Sequence, residues 1–239
     1  MRALVLGLVV AASCKTAMDY PVGGGGGGGG GNSLGVDAAS MGSGSGSGSA
    51  VVRACVLTDP RDLTSCRGSG VAGLTVSLGS ATATTADDGT FTIDSPTGTN
   101  VEWDVTGSTV VQSVTQYAGQ AKISVMDATM LGDLQGANGV TPAAGTGALM
   151  MRIARNGAGV MGETVVAVPA NDPYGTYYDG ATASSWTQSG TGTFGTAYLP
   201  GIPVGTTSVR LSAGGTVQAT ISAIPIADGG VTFVVAEVH

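Results

Sequence analysis

"RGSGVAGLTVSLG" runs from Arg67 to Gly79, and "ARNGAGVMGETVVAV" runs from Ala154 to Val168. Both spell Gly-Val-x-Gly-x-Thr-Val: Gly70 to Val76 in the first stretch, Gly159 to Val165 in the second. Self-similarity at this scale is a sign of a repeated structural unit. The correspondence continues downstream. Gly89-Thr90-Phe91 matches Gly195-Thr196-Ala197, and Pro96-Thr97-Gly98-Thr99 matches Pro203-Val204-Gly205-Thr206. The step from Gly73 to Gly89 is 16 positions and that from Gly162 to Gly195 is 33, so the second copy carries 17 extra residues between equivalent turns.

The periodicity around these motifs is that of half-buried strands. Leu74, Val76 and Leu78 stand two apart and share a face, with Thr75 and Ser77 opposite. A first strand is expected over Val51–Leu57, Phe91 and Ile93 point inward after the Asp87-Asp88-Gly89 turn, and Val101, Trp103 and Val105 continue the alternation. Asp-Gly at that turn is a hairpin signal. Val110, Val111 and Val114 follow less regularly. Val125, Met126, Thr129, Met130 and Leu134 fall at helical spacing, which predicts a short helix from Ser124, as cap, to Leu134, with Gly136 just beyond. Strands resume at 148–154, 163–168, 195–199, 208–212, 217–223 and 231–238.

Composition agrees with turn-rich β-structure: 42 of 239 residues are Gly and only 10% are charged. The net charge of −7, with nine Lys and Arg thinly spread, gives no basic stripe for nucleic acid. The opening MRALVLGLVVAASC combines one basic residue, an apolar run from Ala3 to Ala12 and small residues before a cysteine. That run is too short to span a bilayer as a helix and reads as a secretory signal over residues 1–13. Ala11-Ala12-Ser13-Cys14 resembles a bacterial lipobox, with Ala where Leu is favoured, and the resemblance implies that Cys14 is lipidated. Lys15 in the following position implies sorting to the outer membrane, and plain secretion with cleavage near Ser13 is the alternative.

Residues 14–50 are of low complexity, with nine consecutive glycines at Gly23–Gly31 and a Gly-Ser alternation at Gly42–Ser49. Such a stretch is expected to be a disordered tether whose r.m.s. reach is about 30 to 36 Å. Three cysteines leave one unpaired in an exported chain. Pairing Cys55 with Cys66 is the natural assignment in an oxidising compartment and leaves Cys14 for lipid. Closing so short a loop contributes about 3 kcal/mol in the chain-entropy picture. Structural zinc is the rival reading, but no CxxC exists and His239 is the only histidine.

Strand, a turn of the form G-x-P-V-x-G-A-x-V, a second turn T-D-x-x-G-x-F, and a strand after Pro-x-Gly together resemble carboxypeptidase regulatory-like domains. "GVAGLTVSLGSATATTADDGTFTIDSPTGT" carries this pattern, as does "GAGVMGETVVAV" with "GTFGTAYLPGIPVGT", both without the Pro before Val71 and Val160. The resemblance implies seven-stranded, transthyretin-like β-sandwiches of the wider immunoglobulin-like architecture. The expected fold is therefore all-β: two tandem sandwiches joined by a short helix, after the Gly/Ser linker. The modules are expected at 51–118 and 148–239, with a helical and loop connector at 119–147.

Such domains carry no catalysis in themselves, and fold is not function. No Ser-His-Asp or Cys-His arrangement can be assembled around His239, the terminal residue. Thirteen of the sixteen acidic residues are Asp, mostly beside turn formers, and there is no Asp-Thr-Gly, P-loop or dinucleotide fingerprint. The expectation is a non-enzymatic chain without cofactor or metal. The 17-residue excess falls in "PANDPYGTYYDGATASSWTQ", Pro169–Gln188, which holds Tyr174, Tyr177, Tyr178 and Trp186, four of eleven aromatics. These form either a stacking platform for a sugar or the packing of the loop on its own sheet, the latter favoured. Asp172 and Asp179 are weak candidates for Ca²⁺, and Asp87 and Asp88 are turn formers.

Two functional readings follow. The leading one is a lipid-anchored envelope protein whose sandwiches make structural or adhesive contacts with other envelope proteins. The alternative is a surface-displayed carbohydrate-binding module using the Tyr/Trp-rich insertion.

Overall fold

The computed structural model describes residues 49–96 and 101–238. Signal, lipobox, Cys14, almost all of the linker, the Thr97–Thr99 turn and His239 lie outside the described residues. The first half contains β1 (Ser49–Val56), β2 (Thr75–Leu78), β3 (Ala81–Thr84), β4 (Thr90–Asp94), β5 (Glu102–Thr106), β6 (Ser113–Gln116) and β7 (Lys122–Val125). After α1 (Ala128–Ala137), the second half contains β8 (Thr146–Arg155), β9 (Ala158–Gly159), β10 (Glu163–Val168), β11 (Tyr177–Asp179), β12 (Trp186–Thr187), β13 (Thr196–Pro203), β14 (Gly205–Ala213), β15 (Thr216–Ile226) and β16 (Val231–Glu237).

Each half is a sandwich of two sheets. In the first, β4-β1-β7 faces the β3-β2-β5-β6 portion of a larger sheet; in the second, β10-β14-β15 faces the portion β12-β11-β13-β8-β16. The predicted inward residues fill the first core: Leu74, Val76, Leu78, Phe91, Ile93, Trp103 and Val105 are all at most 5% exposed. Leu149, Met151, Ile153, Val165, Leu199, Val209 and Leu211 fill the second.

The two halves repeat strand for strand. β1 pairs with β4 antiparallel and β7 parallel, as β8 pairs with β13 antiparallel and β16 parallel. β2-β5-β6 likewise corresponds to β10-β14-β15. The Gly-Val-x-Gly motif precedes β2 and β10, and a single hydroxyl fastens it in each copy. Thr85 Oγ1 accepts from Leu74 N–H (2.9 Å) and donates to Val71 O (2.7 Å), while Thr191 Oγ1 accepts from Glu163 N–H (3.0 Å) and donates to Val160 O (2.6 Å). Gly73 and Gly162 donate to the carbonyls of the same two threonines. Both glycines have positive φ, 74° and 79°, which explains why the motif keeps Gly there. Gly70 and Gly159 serve differently, by close approach. A Cβ on Gly70 would lie 1.8 Å from the Asp88 carbonyl carbon, and one on Gly159 would lie 2.4 Å from that of Phe194.

The two sandwiches are not merely tethered. β16 pairs parallel with β8 on one side and with β6 on the other, Val231 opposite Ser113 through Phe233 opposite Thr115. One ten-stranded sheet therefore runs through both halves. α1 covers its second face at β8. Leu131 and Leu134 pack with Ala148, Met150, Tyr198, Val231 and Phe233, while Leu149, Met151 and Ile153 point to the opposite side. Burial on both faces is why 148–151 reads as an unbroken apolar run.

Three expectations need correction. Residues 122–125 form β7, not the start of a helix; Ser124 is a strand residue, and the cap is Asp127, whose side chain accepts from Thr129 N–H at 2.8 Å. Ile123 and Val125 alternate into the first core, so a period of two prevailed over a period of 3.6 drawn from overlapping residues. Gly136 lies inside α1. The connector at 119–147 thus contributes a strand to the first sandwich. The Asp87-Asp88-Gly89 turn is present, with Gly89 N–H donating to Ala86 O, but it joins strands in different sheets and makes no hairpin ladder. The Thr85 hydroxyl bonds to the 71–74 turn lead the chain across.

Both threonines are 4% exposed, and losing the hydroxyl leaves a buried N–H and a buried C=O unpaired. Thr85→Val and Thr191→Val are each expected to destabilise by about 1–3 kcal/mol in urea unfolding, whereas Thr75→Val at an exposed β2 position changes stability by under about 0.5 kcal/mol.

Candidate functional site

The insertion Pro169–Gln188 builds β11 and β12, which extend the large sheet beyond β13. Its aromatics are engaged internally. Val165 N–H donates to Tyr178 Oη (2.7 Å), which donates in turn to Val165 O (3.2 Å), and the ring is 3% exposed. Burial pushes the Tyr178 phenol pKa up, against the hydrogen bonds that favour the phenolate. Tyr177 Oη donates to Asn138 O just past α1 (3.2 Å), and Tyr174 Oη donates to Thr141 O while its ring lies on Gly201. Trp186 Nε1–H donates to Ala183 O at 3.0 Å.

The rings cluster on Tyr198, a fully buried residue that the sequence reading did not single out. Tyr177 stands 6.2 Å from it at 32°, and Trp186 stands 6.2 Å from it at 67°. Burial drives the Tyr198 phenol pKa strongly upward. Tyr177 and Trp186 are half-buried, and they meet Tyr198 in tilted and edge-on geometry. The insertion packs against α1 and β13.

Asp179 is 2% exposed, and its carboxylate accepts from three backbone N–H groups at 2.8 Å each: Gly192 and Thr196 on Oδ1, Phe194 on Oδ2. It organises the turn that carries Gly195, so its oxygens are not presented to a cation. Asp172 does not join it in a ligand set; among the described residues no three His, Cys, Asp or Glu side chains gather as metal ligands. Asp88 is likewise occupied, accepting from Thr90 N–H and Oγ1, and these bonds hold its carboxyl below the ordinary range. Among the described residues the apolar cleft at the open end of the first sandwich is shallow, lined by Val52, Leu78, Ile93, Trp103 and Tyr117.

The segment that reaches between the sandwiches is the disulfide loop. Cys55 and Cys66 are joined, with Cα atoms 5.2 Å apart. Inside the loop, Asp59 and Arg61 pair at 2.7 Å. Arg61 Nη1 donates to Gly180 O (3.0 Å), its guanidinium lies 5.0 Å from the Phe194 ring centroid, and Thr196 Oγ1 donates to Arg61 O (2.5 Å). Burial raises the Asp59 pKa, but the hydrogen bonds and charge of Arg61 outweigh it and hold the carboxyl below its ordinary value. Arg61 has no role in the sequence reading. A lone Arg facing residues more than 100 positions away leaves no local signal.

No protein-family model matches the chain, and no curated protein matches it. Among solved structures, it is similar to the Bacillus anthracis TIE protein at 13% identity and TM-score 0.25, over 80% of this chain and 33% of that one. It is also similar to GBS52, the minor pilin of the Gram-positive pathogen Streptococcus agalactiae, at 11% identity and TM-score 0.24, over 79% of this chain and 94% of that one. The chain spans about a third of the TIE protein's length. These distant likenesses go with a mostly β chain and carry no functional argument.

Two outcomes test the site. Trp186→Ala is expected to cost about 1–3 kcal/mol in urea unfolding, and tryptophan fluorescence titrated with polysaccharides is expected to show no saturable change. Because the Asp59 pKa is lowered by folding, its contribution is full above the unfolded carboxylate pKa of ~3.9 and is lost as pH falls through the lower folded value. Unfolding measured from pH 6 to 2 should show an acid-labile increment of at most about 1 kcal/mol that Asp59→Asn abolishes.

Proposed function

We propose that the chain is a non-enzymatic, lipid-anchored protein of the bacterial cell envelope. It holds a rigid pair of β-sandwiches away from the membrane for structural or adhesive contacts with other envelope proteins. The observation that carries this reading is the way the polar and aromatic groups are used. Asp179, Tyr174, Tyr177, Tyr178 and Arg61 all point at backbone groups of the same chain. A molecule that spends these side chains on fastening its own loops is suited to a load-bearing or spacing role, since catalysis needs polar groups poised for a substrate.

The Cys55–Cys66 bridge supports an oxidising compartment, which goes with the secretory signal. The lipobox resemblance at Cys14 supports anchorage, and the Gly/Ser stretch supplies reach. Outer-membrane sorting follows from Lys15 in the same reading, with no cofactor and no nucleic acid partner.

The test is fractionation of bacteria expressing the full chain. The intact chain should sediment with envelope membranes and take up radiolabelled fatty acid, and Cys14→Ser should lose the label and enter the soluble exported fraction. A chain with Cys14 intact that is soluble and unlabelled overturns the anchor.

A further inference from the structure

The repeat allows the fate of one sheet edge to be read from the other. β6 and β15 are equivalent strands: β6 follows β5 in the first sandwich as β15 follows β14 in the second, and Val105 opposite Ser113 corresponds to Leu211 opposite Ala219. The outer edge of β6 is covered by β16. The outer edge of β15 has no strand beside it, and among the described residues no side chain or loop hydrogen-bonds to the backbone of 216–224 from outside the β14 ladder.

This edge carries neither charge nor cover. β15 is eleven residues long, TVQATISAIPI, without a charge, and its one proline, Pro225, stands at the far end. Val217 is 56% exposed. Edge strands of soluble proteins are ordinarily short, charged, bulged or covered, because an open row of N–H and C=O groups templates another strand. Of the other edges, β7 carries Lys122, β4 ends at Asp94 and β10 opens on Glu163, while β3 and β12 are only four and two residues long. β15 has two bulges, one at Gln218 and one near Ala223, at φ 59°, which leave Ala219–Ile221 as the regular part of the edge between them.

We infer that β15 pairs with β15 of a second copy of this chain, antiparallel and about a two-fold axis, joining two β10-β14-β15 sheets into one. Charge selects this occupant. The chain carries a net charge of −7, and a second copy that meets it at this strand brings no acidic side chain into the contact. In a register centred on Thr220, Ala219 meets Ile221 of the partner subunit on the inner face, where both residues already pack on the second core. Thr220 meets Thr220 of the partner subunit, a favourable cross-strand pair. The nearest charge, Arg210, lies one strand back opposite Thr220. The two copies of Arg210 then stand three strand spacings apart, about 14 Å, beyond the Debye length of ~8 Å at physiological salt.

The inference deepens the contact role proposed above by naming the partner, but it rests on the sheet edge alone. It is tested on a soluble chain, so its failure leaves the anchor untouched, and failure of the anchor leaves it standing. The full chain carrying Cys14→Ser, exported so that no lipid is attached, is examined by sedimentation equilibrium up to about 100 µM. A monomer–dimer equilibrium is expected. Gln218→Lys with Thr220→Lys, both at exposed positions, should weaken dimerisation at least tenfold without changing the thermal unfolding midpoint of the monomer. Thr82→Lys with Thr84→Lys on the exposed edge β3 should leave dimerisation unchanged. A wild-type chain monomeric throughout overturns the inference and leaves the edge to an extended segment of another protein. A dimer that survives the β15 lysines, or that the β3 lysines break, overturns the assignment of the edge.

Discussion

The parallel pairing of β16 with both β8 and β6 is the constraint on which the rest of the molecule depends. Without it, the chain would be two small sandwiches on a string, each with an open edge. With it, two edges disappear at once, and the end of the chain closes a sheet begun in the first sandwich. The pairing also dictates where α1 sits. A sheet that continues past β16 offers a second apolar face at Ala148, Met150 and Phe233, and the helix connecting the halves lies there instead of projecting into solvent. The buried Ser113 hydroxyl at this junction accepts from Met126 N–H and donates to Val111 O, fixing the chain where β6 meets the segment entering α1.

The two halves agree where the sandwich itself requires it and differ where they touch. The Thr85 and Thr191 hydroxyl bridges, the positive φ of Gly73 and Gly162, and the close approach of Gly70 and Gly159 recur because each solves the same problem, a tight crossing between sheets. Arg53 and Arg152 stand at equivalent positions and each donates to a carbonyl of the following turn. Two segments break the symmetry: the disulfide loop in the first copy and the aromatic insertion in the second. These are the segments that meet. Arg61 from one bonds to Gly180 of the other and lies beside Phe194, so the departures from the repeat form the lock between the repeats.

Much of the fold was legible in the sequence because it is written in local periodicity. Leu74, Val76 and Leu78 alternate, the glycine turns recur at matched order, and Cys55 and Cys66 pair as arithmetic suggested. What was not legible is non-local. β7 was misread because Ile123, Val125 and Met126 satisfy strand and helical spacing alike, and only pairing with β1 decides between them. The aromatic insertion announced itself by composition, but composition does not distinguish a ring facing solvent from one whose hydroxyl bonds to Asn138 O. Thr85 and Thr191 did carry a signal, since each lies four residues before its turn glycine.

The same geometry explains why, among the described residues, strand pairing joins the sandwiches through β16 and not also through β7. By register, Arg53 opposite Lys122 corresponds to Arg152 opposite Val235, so Val231–Phe233, the part of β16 that meets β6, is equivalent to Ala118–Gln120 ahead of β7. In the first copy those residues are not a strand; Gly119 sits at φ 72°, which breaks extension, and the Gln120 side chain accepts from Ala118 N–H to close the bend. β7 therefore begins too late to offer the arm that β16 extends. β16 begins four extended residues earlier than β7 does, and that arm turns an edge into a junction. The difference between an isolated module and a fused pair thus rests on whether a glycine turn delays the strand or the extended Val231-Thr232-Phe233 begins it.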